Sequence, residues 1–212
     1  MSQPAGNCPR CGAPVQFRWS SAVQTVCPFC RSILVRDDIA LHHVGVAADL
    51  PPDPSPICLL TEGAYRGKNF QVLGRILYEW DNGGWNEWHI VFSDGVSGWL
   101  SDAQLQYAVS FQTEGGGPLP GAADISPGKR LAFGQVEYEV STLTQARYKG
   151  VEGELPFAYH DKTTMAFADL RTSGRAFGTL DFSEQPALLF LGEWVSFEEL
   201  RLKNLRQFEG WA

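Results

Sequence analysis

Residues 70–100 read FQVLGRILYEWDNGGWNEWHIVFSDGVSGWL, and this run decides the fold. Its apolar and polar residues alternate with the period of two that an extended chain imposes. Asp81-Asn82-Gly83 and Asp94-Gly95 punctuate it as turns. Parity then gives an expected register. Phe70, Val72, Ile76, Tyr78 and Trp80 fall on one face of the first strand, and Trp88, Ile90 and Phe92 on one face of the next. For these apolar sets to meet, the loop between them must hold an odd number of residues, which Asp81-Asn82-Gly83 supplies as a three-residue hairpin. The register pairs Ile76 with Trp88, Gly74 with Ile90 and Val72 with Phe92. The turn at Asp94-Gly95 sets Trp99 opposite Ile90, so Trp88 and Trp99 are expected on one buried face. Arg75, Glu79, Trp85, Glu87 and His89 are expected on a wetter, outward face, with Trp85 either the anchor of a partner surface or covered by the second segment or the ribbon.

Outward from this hairpin, two segments share landmarks. Phe70-Gln71-Val72 is echoed by Tyr138-Glu139-Val140, and Trp99-Leu100-Ser101-Asp102-Ala103-Gln104-Leu105 by Trp194-Val195-Ser196-Phe197-Glu198-Glu199-Leu200. Serine followed three residues later by Gln or Glu is a capping box, so each segment is expected to close on a short helix. The pattern reads as a degenerate internal duplication. The expected architecture is mainly β: a zinc ribbon at 1–44, a Pro-rich linker at 45–56, a first antiparallel module at 57–113, a Gly/Pro-rich connection at 114–128 and a second module at 129–212. Each module is a small twisted sheet or partial barrel.

The ribbon rests on Cys8-Pro-Arg-Cys11 and Cys27-Pro-Phe-Cys30, a C-x2-C-x15-C-x2-C spacing. Each pair can aim two sulfurs at one point, so Cys8, Cys11, Cys27 and Cys30 are expected to complete a tetrahedron around one zinc ion. Four protein ligands close the coordination sphere, which makes the zinc structural. A segment this short cannot bury enough apolar surface to fold without it. Release of the zinc on thiol oxidation is the alternative role.

Charge is divided along the chain. Residues 1–36 hold Arg10, Arg18, Arg31 and Arg36 and no acid, while the whole chain carries −7. An acidic body repels a phosphate backbone, so nucleic acid could be engaged only through the ribbon, by Arg10, Arg18, Trp19 and Arg31. The start MSQPAGNCPRC has no leader pattern and no apolar run is long enough to span a bilayer, so the expected location is cytoplasmic. No nucleophile elbow, phosphate loop or dinucleotide fingerprint occurs, and neither His89 nor His160 has a catalytic partner at a diagnostic spacing.

Residues 57–206 resemble the bacterial DUF4178 domain. The resemblance is carried by GKNFQVLGRI at 67–76, WNEWHI at 85–90, GWLS at 98–101, GVEGELP at 150–156, ADLR at 168–171 and EWVSFEEL at 193–200. Members similar to this chain carry a cysteine-pair ribbon ahead of the domain. The family has no established activity, and the resemblance implies a role beside a membrane-associated system. Taken together, the expected function is that of a non-enzymatic, zinc-containing adaptor that engages another protein. Nucleic-acid binding through the ribbon is the first alternative, and a thiol redox sensor or an uncharacterised enzyme the second.

Overall fold

The computed structural model describes residues 5–37, 40–51, 54–159 and 164–208. In the ribbon, β1 (Ala5–Asn7) pairs with β2 (Pro14–Gln16) around the first cysteine turn. A three-stranded meander of β3 (Gln24–Val26), β4 (Ser32–Asp37) and β5 (Ala40–Val46) carries the second. The two turns are built alike. Gly12 N–H donates to Cys8 O and Arg31 N–H to Cys27 O, while Cys8 and Cys27 N–H donate to Ala13 O and Ser32 O. The residue leaving each turn has positive φ, 74° at Gly12 and 59° at Arg31. Arginine thus holds at the second turn a conformation that glycine takes without steric cost at the first.

Ten further strands form two meanders of five. The first is β6 (Glu62–Tyr65), β7 (Lys68–Trp80), β8 (Gly83–Phe92), β9 (Ser97–Ala103) and β10 (Gln106–Thr113). The second is β11 (Arg130–Phe133), β12 (Val136–Gly153), β13 (Thr164–Arg171), β14 (Ala176–Asp181) and β15 (Leu188–Val195). Two antiparallel seams, β10 with β15 and β7 with β12, join the meanders into a closed ring of eight strands, to which β6 and β11 add outer hairpins. The two segments therefore share one barrel instead of folding as two modules. Second strand meets second strand and fifth meets fifth, which brings Phe70-Gln71-Val72 and Tyr138-Glu139-Val140 to equivalent positions. The W-[LV]-S endings are not equivalent, because Trp99 lies in β9 and Trp194 in β15.

Stagger makes the barrel wide. Paired residues run Gly153, Gly74, His89, Trp99, Ser110, Gly192, Phe177, Arg171 and Glu139, returning to β12 fourteen residues before the start. A large stagger means strongly tilted strands and more room inside than eight upright strands would leave.

The closing helices are absent. Ser101 stays within β9, and Gln104 and Leu105 make a tight turn at φ 52° and 65° straight into β10. At the other end the capping box does form, with Ser196 N–H donating to Glu199 Oε2 at 2.7 Å and Glu199 N–H to Ser196 Oγ at 3.2 Å. Only turns follow, and Arg201 leaves them at φ 49°. Among the described residues no helix is long and apolar enough to cross a membrane.

The expected register is also corrected. Trp80 pairs with Gly83 across a two-residue loop, and a bulge at Leu73 supplies the parity change that the longer loop was to provide. Before the bulge, Phe70 and Val72 face Phe92 and Ile90 across the hairpin; beyond it, Arg75 meets Trp88 and Ile76 meets Glu87. One strand thus serves two cores. Phe70 and Val72 join Trp88, Ile90 and Leu100 on the outside of the barrel, under Ile57, Tyr65 and Leu200. Ile76 and Tyr78 turn inward with Trp99, so Trp88 and Trp99 lie on opposite faces. The second meander has a matching outer core, in which Tyr138, Val140, Leu170 and Leu180 pack against Ile125 and Phe133. Gly74 beside the bulge admits no side chain, since a Cβ there would lie 2.0 Å from Glu154 O.

Candidate functional site

Alternation along tilted strands gives the barrel an inner face, and that face encloses a half-open cavity of about 240 Å³. Its walls are mostly apolar, with polar groups set among aromatic rings. Tyr78, Trp85, Trp99, Phe167, Phe190 and Trp194 supply rings, and Ser101, Thr142, Thr144 and Thr179 supply hydroxyls. Trp85 stacks on Tyr78 with centroids 5.0 Å apart and meets Phe167 edge-on at 5.7 Å. The cavity reaches Trp80, Gly84, Gln104 and Gln106 at the two adjoining hairpin turns, and Arg171 and Trp194 across from them. Arg171 is exposed, with its guanidinium 4.8 Å over the Trp194 ring.

The other end is stoppered. After β12 the chain folds back across the barrel, stacking Phe157 on Trp99 at 5.8 Å and bringing Tyr159 Oη within 2.7 Å of Tyr78 Oη. The ribbon seats on this segment by backbone pairing. Val23 and Gln24 N–H donate to Leu155 O, and Leu155 N–H donates to Gln24 O at 2.9 Å. The buried Gln24 side chain also bridges both backbone groups of Tyr159. Glu154 is gripped by the ribbon, its carboxylate accepting from Arg18 N–H at 2.7 Å and Trp19 N–H at 3.0 Å.

Three carboxylates line the cavity. Glu87 accepts from Trp85 Nε1–H at 3.0 Å and Ser101 Oγ–H at 2.8 Å. Desolvation outweighs both bonds and pushes its carboxyl up to about 8, with Asp169 and Asp181 adding like-charge repulsion. Asp169 accepts from Thr142 Oγ1–H at 2.9 Å, and desolvation raises it as well. Asp181 accepts from Ser183 N–H at 2.7 Å. Neither Glu87 nor Asp169 forms an ion pair among the described residues.

The five residues expected on one outward face are divided between two. Arg75 and Glu79 do face outward, but Arg75 is only 2% exposed, donating from Nε to Asn86 Oδ1 at 2.7 Å and from Nη1 to Glu152 at 3.0 Å, with its guanidinium over Trp88. Glu79 pairs with Lys149 at 3.1 Å. Trp85, Glu87 and His89 face inward. His89 is fully buried between Trp19 and Trp99, donating from Nδ1 to Glu154 O at 2.8 Å, and desolvation lowers its pKa to about 4. The bulge at Leu73, which the residue pattern does not reveal, puts Trp85, Glu87 and His89 on the lumen side instead of an outer face. Thr142, Asp169, Thr179 and Asp181 are not singled out by the sequence; the signal for the last three is a polar residue facing an apolar neighbour along β13 and β14.

Of the residues weighed for nucleic acid, Trp19 is committed to the barrel, its indole N–H donating to Gly95 O at 3.2 Å. Arg31 is paired with Asp49. Arg10 and Arg18 are exposed on the ribbon. His160 lies outside the described residues.

Cys8, Cys11, Cys27 and Cys30 converge, their sulfurs all within 4.8 Å of one another, so the cluster could hold a metal ion. Cys8 Sγ is 3.7 Å from Cys30 Sγ, and Cys11 Sγ 3.8 Å from Cys27 Sγ. A tetrahedron with metal–sulfur bonds of ~2.3 Å requires ~3.8 Å between sulfurs, so the donor set fits.

A closed antiparallel barrel with a polar-aromatic lumen, stoppered by the segment after β12 and braced by a four-cysteine ribbon, is the class that these features define. The chain belongs to the family described as a domain of unknown function, DUF4178, whose model matches residues 61–197, more than half of the chain. That match spans the ring of eight strands and leaves the ribbon outside it. No curated protein and no solved structure matches the chain.

Proposed function

We propose that this is a small-molecule-binding protein whose barrel takes a ligand into its lumen. The supporting observation is the half-open cavity of about 240 Å³, lined by convergent rings and hydroxyls. Eight-stranded barrels of this width are known to hold one small ligand, and an aromatic pocket with a few placed polar groups is what such recognition needs. At ~30 Å³ per water, the volume corresponds to roughly eight waters, which sets the scale of the ligand. The ribbon, in this reading, carries one structural zinc ion bound by Cys8, Cys11, Cys27 and Cys30, and its task is to hold the stopper in place.

The test is a titration of the full chain with a panel of small molecules, read by intrinsic tryptophan fluorescence, since Trp85 and Trp99 line the cavity. Thr144→Phe fills the lumen and is expected to abolish any saturable response while leaving the fold intact by circular dichroism. A response that survives Thr144→Phe unchanged would place binding elsewhere and refute the reading.

A further inference from the structure

The lining identifies the chemistry of the ligand, on the basis that the lumen is a binding site. Two half-buried carboxyls, Glu87 and Asp169, face the cavity with only neutral donors as hydrogen-bond partners: an indole, a serine and two threonines. Asp181 adds a third acid to the lining, and Arg171, the single basic residue among the described lining residues, is drawn to the rim by Trp194. Among the described lining residues three acids face one base, Arg171, which acts on Asp169 from the rim, and this acidic excess is complementary to a cation. The rings narrow the choice further, because the faces of Tyr78 and Trp85 attract organic cations through their quadrupoles and shed water.

A divalent metal fits this lining badly. A hard cation such as calcium or magnesium requires six or more oxygen ligands, and among the described residues the four cysteines are the only cluster with metal-ligand geometry. An anion would meet carboxylates. A neutral ligand would draw no charge-assisted hydrogen bond from Glu87 or Asp169.

We propose that the lumen receives a small aliphatic ammonium ion, its charged nitrogen facing Glu87 and Asp169 and its alkyl part against Trp85, Phe167 and Trp99. Binding then couples to a proton. Glu87 is faced by Tyr78 from β7, Ser101 from β9, Asp169 from β13 and Asp181 from β14, with Arg171 at the rim, and desolvation in the empty lumen holds its carboxyl up to about 8. The arriving ammonium favours the carboxylate, so a proton leaves as the cation enters, and affinity rises with pH until Glu87 is ionised in the free protein as well.

The experiment compares n-butylammonium, butan-1-ol and butyrate on the full chain at pH 6.5, 7.5 and 8.5, by calorimetry and tryptophan fluorescence. n-Butylammonium is expected to bind at least tenfold tighter than butan-1-ol, with affinity increasing across that range and butyrate silent. Glu87→Gln is expected to lose at least tenfold for n-butylammonium while keeping the native affinity for butan-1-ol, and Asp169→Asn to act in the same direction. If butan-1-ol binds as tightly as n-butylammonium and both variants behave as native, the cation inference is overturned while the lumen reading stands. If no probe binds, or if Thr144→Phe leaves every response unchanged, both are overturned.

Discussion

Glu87→Gln should change the pH dependence of stability, and the size of the change follows from the site. The Glu87 carboxyl is held up to about 8 from an ordinary value of 4.5. A group whose pKa is raised on folding stabilises the native state fully below its unfolded pKa, and that stabilisation is lost as pH rises through the folded pKa. The window is therefore about 4.5 to about 8. At ~1.4 kcal/mol per pH unit, the loss is at most about 5 kcal/mol, and less where water enters the lumen and screens the charge. His89 works in the opposite sense. Its pKa falls from 6.5 to about 4, so its contribution is present above 6.5 and is lost as pH falls. Between about 4.5 and 6.5 the two slopes oppose one another, and from 6.5 to 8 Glu87 contributes a decline of ~2 kcal/mol with no opposing slope from His89. Glutamine stays neutral throughout and can still accept from Trp85 or Ser101. The variant should therefore gain relative to native by a margin that widens from pH 5 to pH 8. Asp169 is raised in the same direction but is present in both proteins, so it cancels in the difference to first order. Urea unfolding at half-unit pH intervals provides the measurement. A difference between the two proteins that stays constant from pH 5 to pH 8 would falsify the desolvated, protonated carboxyl.

Four other outcomes are expected. Elemental analysis of the purified chain should find one zinc per molecule, and Cys27→Ser or a strong chelator should remove it and lower the melting temperature, with loss of the ribbon's amide protection before that of the barrel. Gly74→Ala brings a Cβ against Glu154 O, so it should destabilise by about 3 kcal/mol or more in denaturant titrations, at the upper end of overpacking costs. Replacing Gln104-Leu105 by Asn-Gly should stabilise by ~1 kcal/mol, because both residues sit at positive φ in a two-residue hairpin turn and Leu105 is 84% exposed. Leu170→Ala, in the fully buried outer core of the second meander, should cost about 2 to 5 kcal/mol by the same assay.

Local signals in the sequence translated well. The cysteine spacing points to the convergent cluster, and the alternation points to antiparallel strands. Failures arose where a long-range contact overrode a local rule. A capping box at Ser196 formed its bonds without a helix, because Leu200 and Leu202 are drawn onto the outer core instead of continuing a turn. The bulge at Leu73 exists because the Glu154 backbone packs against Gly74, with Glu154 N–H bonded to Leu73 O at 2.7 Å. No pattern within 68–92 reveals that visitor, so the faces of Trp85, Glu87 and Trp99 were assigned to the wrong sides. The lumen was illegible for the same reason: its polar residues come from strands whose closure into a ring depends on two seams between distant segments.

Those seams also impose an order on synthesis. When the first meander leaves the ribosome, β7 and β10 both present open edges, and their partners β12 and β15 have yet to be made. The ribbon emerges earlier still, yet its seat at Glu154, Leu155 and Tyr159 comes more than a hundred residues later. Such non-local pairing slows folding and leaves edges exposed to neighbouring chains. A metal-loaded ribbon would be a finished piece during that wait, ready to dock once the barrel's last turns arrive. Cells starved of the metal should then show the defect first in newly made chains, as aggregation on open edges, while barrels already closed persist.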